Sequence, residues 1–484
     1  MENFISHYIT RRRLLIDSLD EQSFVIFRSA QPSVRSRDVC YPFVQEKNLF
    51  YLTGIEEEGI VLILGKAGKA EMAKKTFTDR SRWGKAGKAV ADESGWTTDM
   101  SGWERDDGSF EILFVVKSDE KNSLWHGSPL SIDEIQSVCG IEDVRYVDEW
   151  ESRMDGEFDH RQVGVKKSWK EGIGGKGGHR LVGVKNDEKS GKNCHWLVEV
   201  DWADWDNRFE LNGLRELSED EKDVLMSALR VVKCAEEIVM IGKSLDVAFK
   251  VFDVVCALLK PGIFEYEVEA VLDYVMKKSA CCHSFPPIIA SGSHGCVLHY
   301  DKNDDICVDG DLLLLDFGVE YHGYTCDICR VLPVCGRFSP RQREVYVAVY
   351  GVLTYALSLL RPWLVWGEYK HLVWECMTWK LLWLWLLTHD DLVVQSKEKP
   401  AYKKYFPHSI SHSLGLDVHD PAWLTDDVIL KDGMVLTVEP GIYILEEWLW
   451  IRLEENVVIR EDWCELLSRK IPVKIDDIEK LFCL

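Results

Sequence analysis

LLLLDFGVEYHGYTCDICR, residues 312–330, decides the reading of this chain. Four leucines run into Asp316, a turn sits at Tyr321 to Gly323, and Asp327 follows 11 residues after the first aspartate. A hairpin centred on that turn sets the two carboxylates roughly opposite each other, with Cβ atoms ~5 Å apart. Such a spacing spans a pair of metal ions ~3.5–4 Å apart. Three downstream phrases complete the set: SHSLGLDVHD (411–420) offers His412, TVEPGIY (437–443) offers Glu439, and RLEEN (452–456) offers Glu454. Four carboxylates and one imidazole suit two divalent cations of the Mn, Fe, Co or Zn type. Two such ions make hydroxide from water near neutral pH and clamp an amide oxygen. The expectation is a metallohydrolase.

Composition fits that reading and excludes others. A chain of 484 residues with 46% hydrophobic content has room for two domains and a sizeable core. Its net charge of -23 repels nucleic acid and anionic membrane. The one cationic run, Arg11-Arg12-Arg13, reads as capping an amphipathic first helix. The 15 cysteines are scattered, without the compact spacing of a disulfide scaffold, and MENFISHYITRRR lacks the apolar core of a signal peptide. A reducing cytoplasm is the expected location. The greasy stretch from Val345 to Leu360 is too short for a membrane span of ~20 residues and reads as a buried helix.

The pattern from Met1 to about Asp148 is an opening helix followed by short strand-like runs: FVIF, YPF, LFYLTG, IVLILG and ILFVV. Residues 65–110 and 155–200 are rich in Gly, Lys, Asp and Trp, repeat GKAGKA and VGVK, and read as insertions, the second also linking two domains. The expected boundaries are 1–154, 155–217 and 218–484. A capping box at Ser218 and Glu221 starts a helix that continues through DVLMSALRVVKCAEEIVMI. LKPGIFEYEVEAVLDYVM (259–276) aligns with LRPWLVWGEYKHLVWECM (360–377), so the second domain contains two related halves.

Single histidines are weak signals, but His408, His412 and His419 together upstream of VEPGIY favour one ligand and two substrate contacts. In RLEEN, strand alternation puts Arg452 and Glu454 on one face and a solvated Glu455 on the other. Cys326 and Cys329 spell C-x-x-C, yet no second pair exists to complete a structural zinc site.

Residues 218–484 resemble the catalytic domain of the pita-bread metallopeptidases, specifically the Xaa-Pro aminopeptidases and prolidases. The stretch from Arg11 through VRSRDVCYPF to LFYLTG resembles their N-terminal domain. The resemblance implies an α/β (α+β) architecture, with a pita-bread (creatinase-type) domain of two pseudo-symmetric halves behind a smaller α/β domain. It implies that Asp316, Asp327 and Glu454 hold one metal and Asp327, His412, Glu439 and Glu454 the second, most often Mn²⁺. It further implies that His299 in VLHYDKND and His419 contact substrate, that His408 lines the pocket and that Arg452 orients the carboxylates. In that chemistry a metal-bound hydroxide attacks the carbonyl, Glu439 shuttles the proton and an imidazole steadies the oxyanion. The implied partners are peptides with Pro second and further copies of the chain (dimer or tetramer), with no nucleic acid and no membrane.

Ser411 before the ligand histidine resembles the aminopeptidase form, where prolidases usually carry Gly. Trp363, Trp385, Trp448 and Trp450 depart from the family, which usually has Gly there, and Cys329 stands where Thr is usual. A Gly-to-Trp exchange disfavours a positive-φ backbone and adds a bulky ring. The competing readings are a prolidase, a metal-free binding module on the same fold, and a creatinase-like amidinohydrolase. Retention of all five ligands argues against the last two.

Overall fold

The structure, a computed structural model, describes residues 4–36, 39–67, 108–116, 128–147, 214–396, 398–420 and 424–482. The chain divides into two compact units, Met1–Lys222 and Asp223–Leu484. Most of the two expected insertions lies outside the described residues. Their described edges are strand: residues 65 and 66 belong to β4 below, and 109 and 110 to β5.

The first unit contains α1 (Phe4–Asp17), β1 (Ser23–Arg28), β2 (Val34–Ser36), β3 (Val39–Cys40), α2 (Lys47–Thr53), β4 (Val61–Lys66), β5 (Ser109–Val115), α3 (Ile132–Cys139), β6 (Val144–Tyr146) and β7 (Arg215–Glu216). Five strands form one sheet in the order β6-β5-β4-β1-β7, with antiparallel centre and parallel edges. Alternation places Phe24, Ile26, Val61, Ile63, Phe110, Ile112 and Phe114 in one core cluster.

Three sequence expectations change here. LFYLTG is helix rather than strand: the Glu46 carboxylate accepts from the backbone N–H groups of Asn48 and Leu49, and Gly54 closes α2 at φ 71°. YPF lies outside any strand. Arg11 and Arg12 are not caps but buried mid-helix ties. Arg12 donates to Glu111 at 2.6 Å and to Leu52 O at 2.8 Å, and Arg11 donates to Tyr51 O at 3.0 Å.

Helix α4 (Glu219–Arg230) begins with the expected capping box, Ser218 N–H donating to Glu221 at 2.9 Å. It stops at Arg230 rather than running on. Val232 leaves the helix to bridge Met434, and α5 (Ala235–Leu258) starts afresh at Cys234, whose N–H donates to Glu237. Then follow α6 (Glu265–Lys278), β8 (Cys282–His283), β9 (Ile288–Ser291), β10 (Leu312–Phe317), β11 (Val319–Tyr321), β12 (Tyr324–Thr325) and β13 (Ile328–Pro333). The second half contains α7 (Pro340–Leu359), α8 (Trp366–Trp383), α9 (His389–Val394), β14 (Val435–Val438), β15 (Gly441–Ile444), β16 (Leu449–Arg452), β17 (Glu455–Ile459), β18 (Cys464–Leu466) and α10 (Ile475–Leu481). No described helix is long and apolar enough to cross a membrane.

The duplication holds at the level of single hydrogen bonds. Gly262 N–H donates to Cys307 O, and Trp363 N–H to Leu430 O, both at 2.9 Å. Phe264 bridges Ile306 antiparallel, as Val365 bridges Ile429. Each half carries a three-stranded sheet, β13-β10-β9 in the first and β14-β17-β18 in the second.

Candidate active site

The hairpin of 312–333 differs in register from the expectation. Asp316 pairs with Cys329, and the same alignment pairs Glu320 with Thr325, so Asp327 falls diagonally from Asp316, two residues along. Diagonal neighbours share a face at ~7–8 Å rather than ~5 Å. Both carboxylates still point to one side of the sheet. In the second half, Val438 pairs with Glu455 and Gly441 with Arg452, a single alignment interrupted where Glu439 stands across from Glu454. Leu453 N–H donates to Pro440 O at 3.2 Å across that gap, and Glu454 N–H to Cys329 O at 3.1 Å, which joins the two halves. His412 is fixed by its backbone, donating to Thr437 Oγ1 at 3.1 Å and accepting from Thr437 N–H at 2.9 Å.

These strands bring Asp327, His412 and Glu454 together, with one ligand atom of each within 4.8 Å of the others. Glu439 joins them, its Oε1 3.6 Å from His412 Nε2 and its Oε2 3.5 Å from His408 Nδ1. Asp316 is held instead by a charged bond from Arg452 Nη2, and Arg452 Nη1 donates to the Tyr443 hydroxyl at 2.9 Å. His408 shares that hydroxyl at 2.9 Å, and the His412 and His419 rings meet edge-on at 4.4 Å. His299 is exposed, but close enough to lower the proton affinity of both His408 and His419.

Asp327 Oδ1 and Glu454 Oε1 are buried without a hydrogen-bond partner. A buried anionic oxygen with no donor is costly, and a cation is the partner that removes the cost. The donor set fits divalent metal. Electrostatics agree: burial, aided by Asp327, pushes Asp316 up to about 6 and Glu439 up to about 7. Glu454 is raised well above the ordinary carboxylate range by burial and by Asp327 and Glu439. Burial pulls His412 down, but Asp327 and Glu439 outweigh it and carry it up to about 9. Burial, with Arg452, depresses His408 to about 4, and burial with His412 lowers His419, so these two rings are neutral at pH 7.

A pH signature follows. A carboxylic acid whose folded pKa is raised binds more protons folded than unfolded, so its contribution to stability falls as pH rises. For Asp316 and Glu439 the fall runs from the ordinary carboxylate range to about 7. The raised His412 contributes fully below its unfolded value near 6.5 and is lost as pH rises through about 9. Chelator-treated protein is therefore expected to lose thermal stability steadily between about pH 5 and 9, while metal-loaded protein does not. Parallel melting curves with and without EDTA across that range check it. A flat difference would contradict the ligand cluster.

Glu455 is not solvated. Its carboxylate is 1% exposed and pairs with Arg330 Nη2 at 2.9 Å. Arg330 also donates to the carbonyl of Glu454, so the face of RLEEN turned away from the Glu454 side chain anchors this stretch. Sequence reading also missed Tyr443, Arg330 and the pair Arg230 and Lys233, none of which stands beside a candidate ligand in sequence. The phrase HD at 419–420 was the only local signal for the last two. Cys326 and Cys329 are free buried thiols, both pushed up by burial. Trp363, Trp385 and Trp448 lie at φ 72°, 61° and 48°. Trp450 is buried in β16 and donates to Gly292 O at 2.6 Å.

The profile of metallopeptidase family M24 matches residues 240–461, and that of the aminopeptidase P N-terminal domain matches residues 8–80 and 96–164. The chain is 27% identical to the Xaa-Pro aminopeptidase of Escherichia coli, covering 97% of this chain and 96% of that protein. It is 25% identical to Xaa-Pro aminopeptidase 3 of Homo sapiens, over 98% of this chain and 85% of that one. Zinc-substituted E. coli aminopeptidase P in complex with product superposes with a TM-score of 0.75 at 26% identity, covering 99% and 98% of the two chains. The halves described above are those of the pita-bread fold. On its matched domains, its full-length relatives and its fold, the chain belongs to metallopeptidase family M24, with an aminopeptidase P domain at its N-terminal end.

Proposed function

We propose that the chain is a metal-dependent aminopeptidase that hydrolyses the N-terminal Xaa-Pro peptide bond. The single observation that carries the proposal is the buried cluster of Asp327, His412 and Glu454 with two neutral histidines beside it. We assign two divalent ions, Mn²⁺ by preference, to Asp316, Asp327, His412, Glu439 and Glu454, with Asp327 and Glu454 shared. When bound, the ions supply an activated water and polarise the substrate carbonyl. Glu439 exchanges a proton with that water and then with the leaving amine. His419 donates to the carbonyl oxygen as charge develops, His299 and His408 line the pocket, and Arg452 holds Asp316. The domain assignment that accompanies this reading is 1–154 for the aminopeptidase P domain, 155–217 for the linker and 218–484 for catalysis. The expected setting is the cytoplasm and the expected state a homo-oligomer.

His419→Ala is expected to retain metal and lose ~10²- to 10³-fold in kcat, the usual cost of one oxyanion donor. Metal analysis beside steady-state kinetics checks it, and normal turnover would remove His419 from the mechanism.

Substrate length separates the two peptidase readings. A prolidase needs a cation to receive the free carboxylate of the terminal proline, whereas an aminopeptidase leaves that side open. Arg452 is already engaged by Asp316 and Tyr443. Xaa-Pro-Xaa tripeptides are therefore expected to be cleaved faster than Xaa-Pro dipeptides by the Mn²⁺-reconstituted protein. The reverse order would make it a prolidase.

A further inference from the structure

The loop that carries His412 and His419 buries Leu414 and Leu416 and is closed by charge at its end. Asp420 follows His419 directly, and its side chain is 1% exposed. Its Oδ1 accepts from Arg230 Nη2 at 2.7 Å and its Oδ2 from Lys233 Nζ at 3.0 Å. Arg230 Nη2 also reaches Asp417 Oδ2 at 2.6 Å, and Lys233 Nζ reaches Ser413 Oγ at 3.3 Å. Asp420 N–H donates to Ser413 O at 3.1 Å, so the loop closes on itself immediately after His412. Inside it, a Cβ on Gly415 would lie 2.8 Å from the Asp420 carboxyl carbon, so the turn is packed onto the ion cluster. Gly415 O in turn accepts from the backbone N–H of Thr325 at 2.8 Å, two residues before Asp327.

Both cations come from the break between α4 and α5. Arg230 ends α4, and Lys233 N–H donates to Gly433 O at 2.9 Å, just ahead of β14. The helix break at 231–234 thus has a consequence at the site: it turns two buried cations onto one carboxylate beside His419.

We propose that Asp420, Arg230 and Lys233 are positioning residues that fix the His419 ring against His412 and the scissile bond. This rests on the function proposed above. Misplacing a reacting group by ~1 Å costs ~10²-fold in rate, and a carboxylate held by two buried cations is what restrains the loop from that error.

A double-mutant cycle tests it, using Asp420→Asn, His419→Ala and the combination in the full chain, with Xaa-Pro-Xaa hydrolysis and metal content as readouts. Asp420→Asn is expected to lower kcat ~10²-fold with KM changed less than about threefold. Combined with His419→Ala, it is expected to lower kcat no further, because the residue acts through His419. Losses that multiply would overturn the proposal, since a merely structural role lowers both backgrounds alike. If Asp420→Asn does not fold, Lys233→Met keeps the Arg230 bond and serves in the same cycle. Absence of cleavage by the unsubstituted protein would instead sink the proposed function itself.

A second inference rests on backbone angles, exposure and composition. Among the described residues, three of the seven non-glycine residues at positive φ are tryptophans: Trp363, Trp385 and Trp448. Bulky side chains are outliers there. They are also 80%, 91% and 63% exposed, so no burial of the ring compensates. The repeat partner of Trp363 is Gly262, at φ 92° with the same hydrogen bond. Tryptophan, ordinarily the scarcest aromatic, outnumbers both Phe and Tyr in this chain, 19 against 18 and 16. We infer that a codon written as tryptophan at these three positions is decoded as glycine in the cell that makes the protein. Peptide mass spectrometry on protein purified from that source is expected to read glycine at 363, 385 and 448. Tryptophan at any of the three would overturn the inference.

Discussion

Asp327→Ala and Glu454→Ala are each expected to remove both metal ions and to reduce Xaa-Pro cleavage by ~10⁴-fold or more, the scale on which a co-operating unit is lost. Each carboxylate has one buried oxygen without a protein partner, so each is organised for cations. Asp316→Ala is expected to weaken mainly one ion, because that carboxylate is partly neutralised by Arg452. The same geometry predicts an opposite sign for stability. Glu454 is buried beside Asp327, Glu439 and Asp316, all of which push its proton affinity up. Deleting it relieves that repulsion, so chelator-treated Glu454→Ala is expected to melt above chelator-treated parent protein at pH 8 while being inactive. Elemental analysis, hydrolysis and melting curves on the same preparations check all of this. Retention of two ions in either bridging variant would end the shared-ligand assignment.

The candidate ligands were legible because each closes a short, recognisable phrase, and those of Asp316, Glu439 and Glu454 carry a strand period. Register was not. The expectation of directly opposed Asp316 and Asp327 assumed a hairpin centred at residue 322, whereas the alignment pairs Asp316 with Cys329. A shift of this kind leaves no trace in local hydrophobicity when every residue of LLLLDF is buried. LFYLTG failed for a related reason: aromatic and branched residues favour strand locally, and the Glu46 cap and Gly54 stop decided for helix. Glu455 shows the limit of alternation. It predicts the face correctly but not what covers that face, which here is the Arg330 guanidinium. Arg230 and Lys233 lie about 190 residues before Asp420 and were invisible without the fold.

The tryptophans give the largest expected change in stability. A non-glycine residue in the left-handed region costs on the order of 1–3 kcal/mol, and a glycine loses ~0.5–1 kcal/mol more backbone entropy on folding. Each of Trp363→Gly, Trp385→Gly and Trp448→Gly is therefore expected to stabilise by ~0.5–2 kcal/mol in the recombinant tryptophan-containing chain. The three sites sit in separate turns, before α8, after α8 and before β16, so their effects should add. The triple variant is expected to melt roughly 3–11 °C higher. It should also aggregate less, since three exposed rings are removed. Trp450 does not follow this argument. It lies in a strand, fully buried, with its indole against Gly295, where a Cβ would fall 1.8 Å from the ring. Its ring occupies the approach between β16 and the turn that precedes His299, so Trp450→Gly is a test of access rather than strain. Differential scanning calorimetry of the triple variant decides the strain argument, and an unchanged or lowered melting temperature would show that the tryptophans hold their turns by contacts stronger than the backbone penalty.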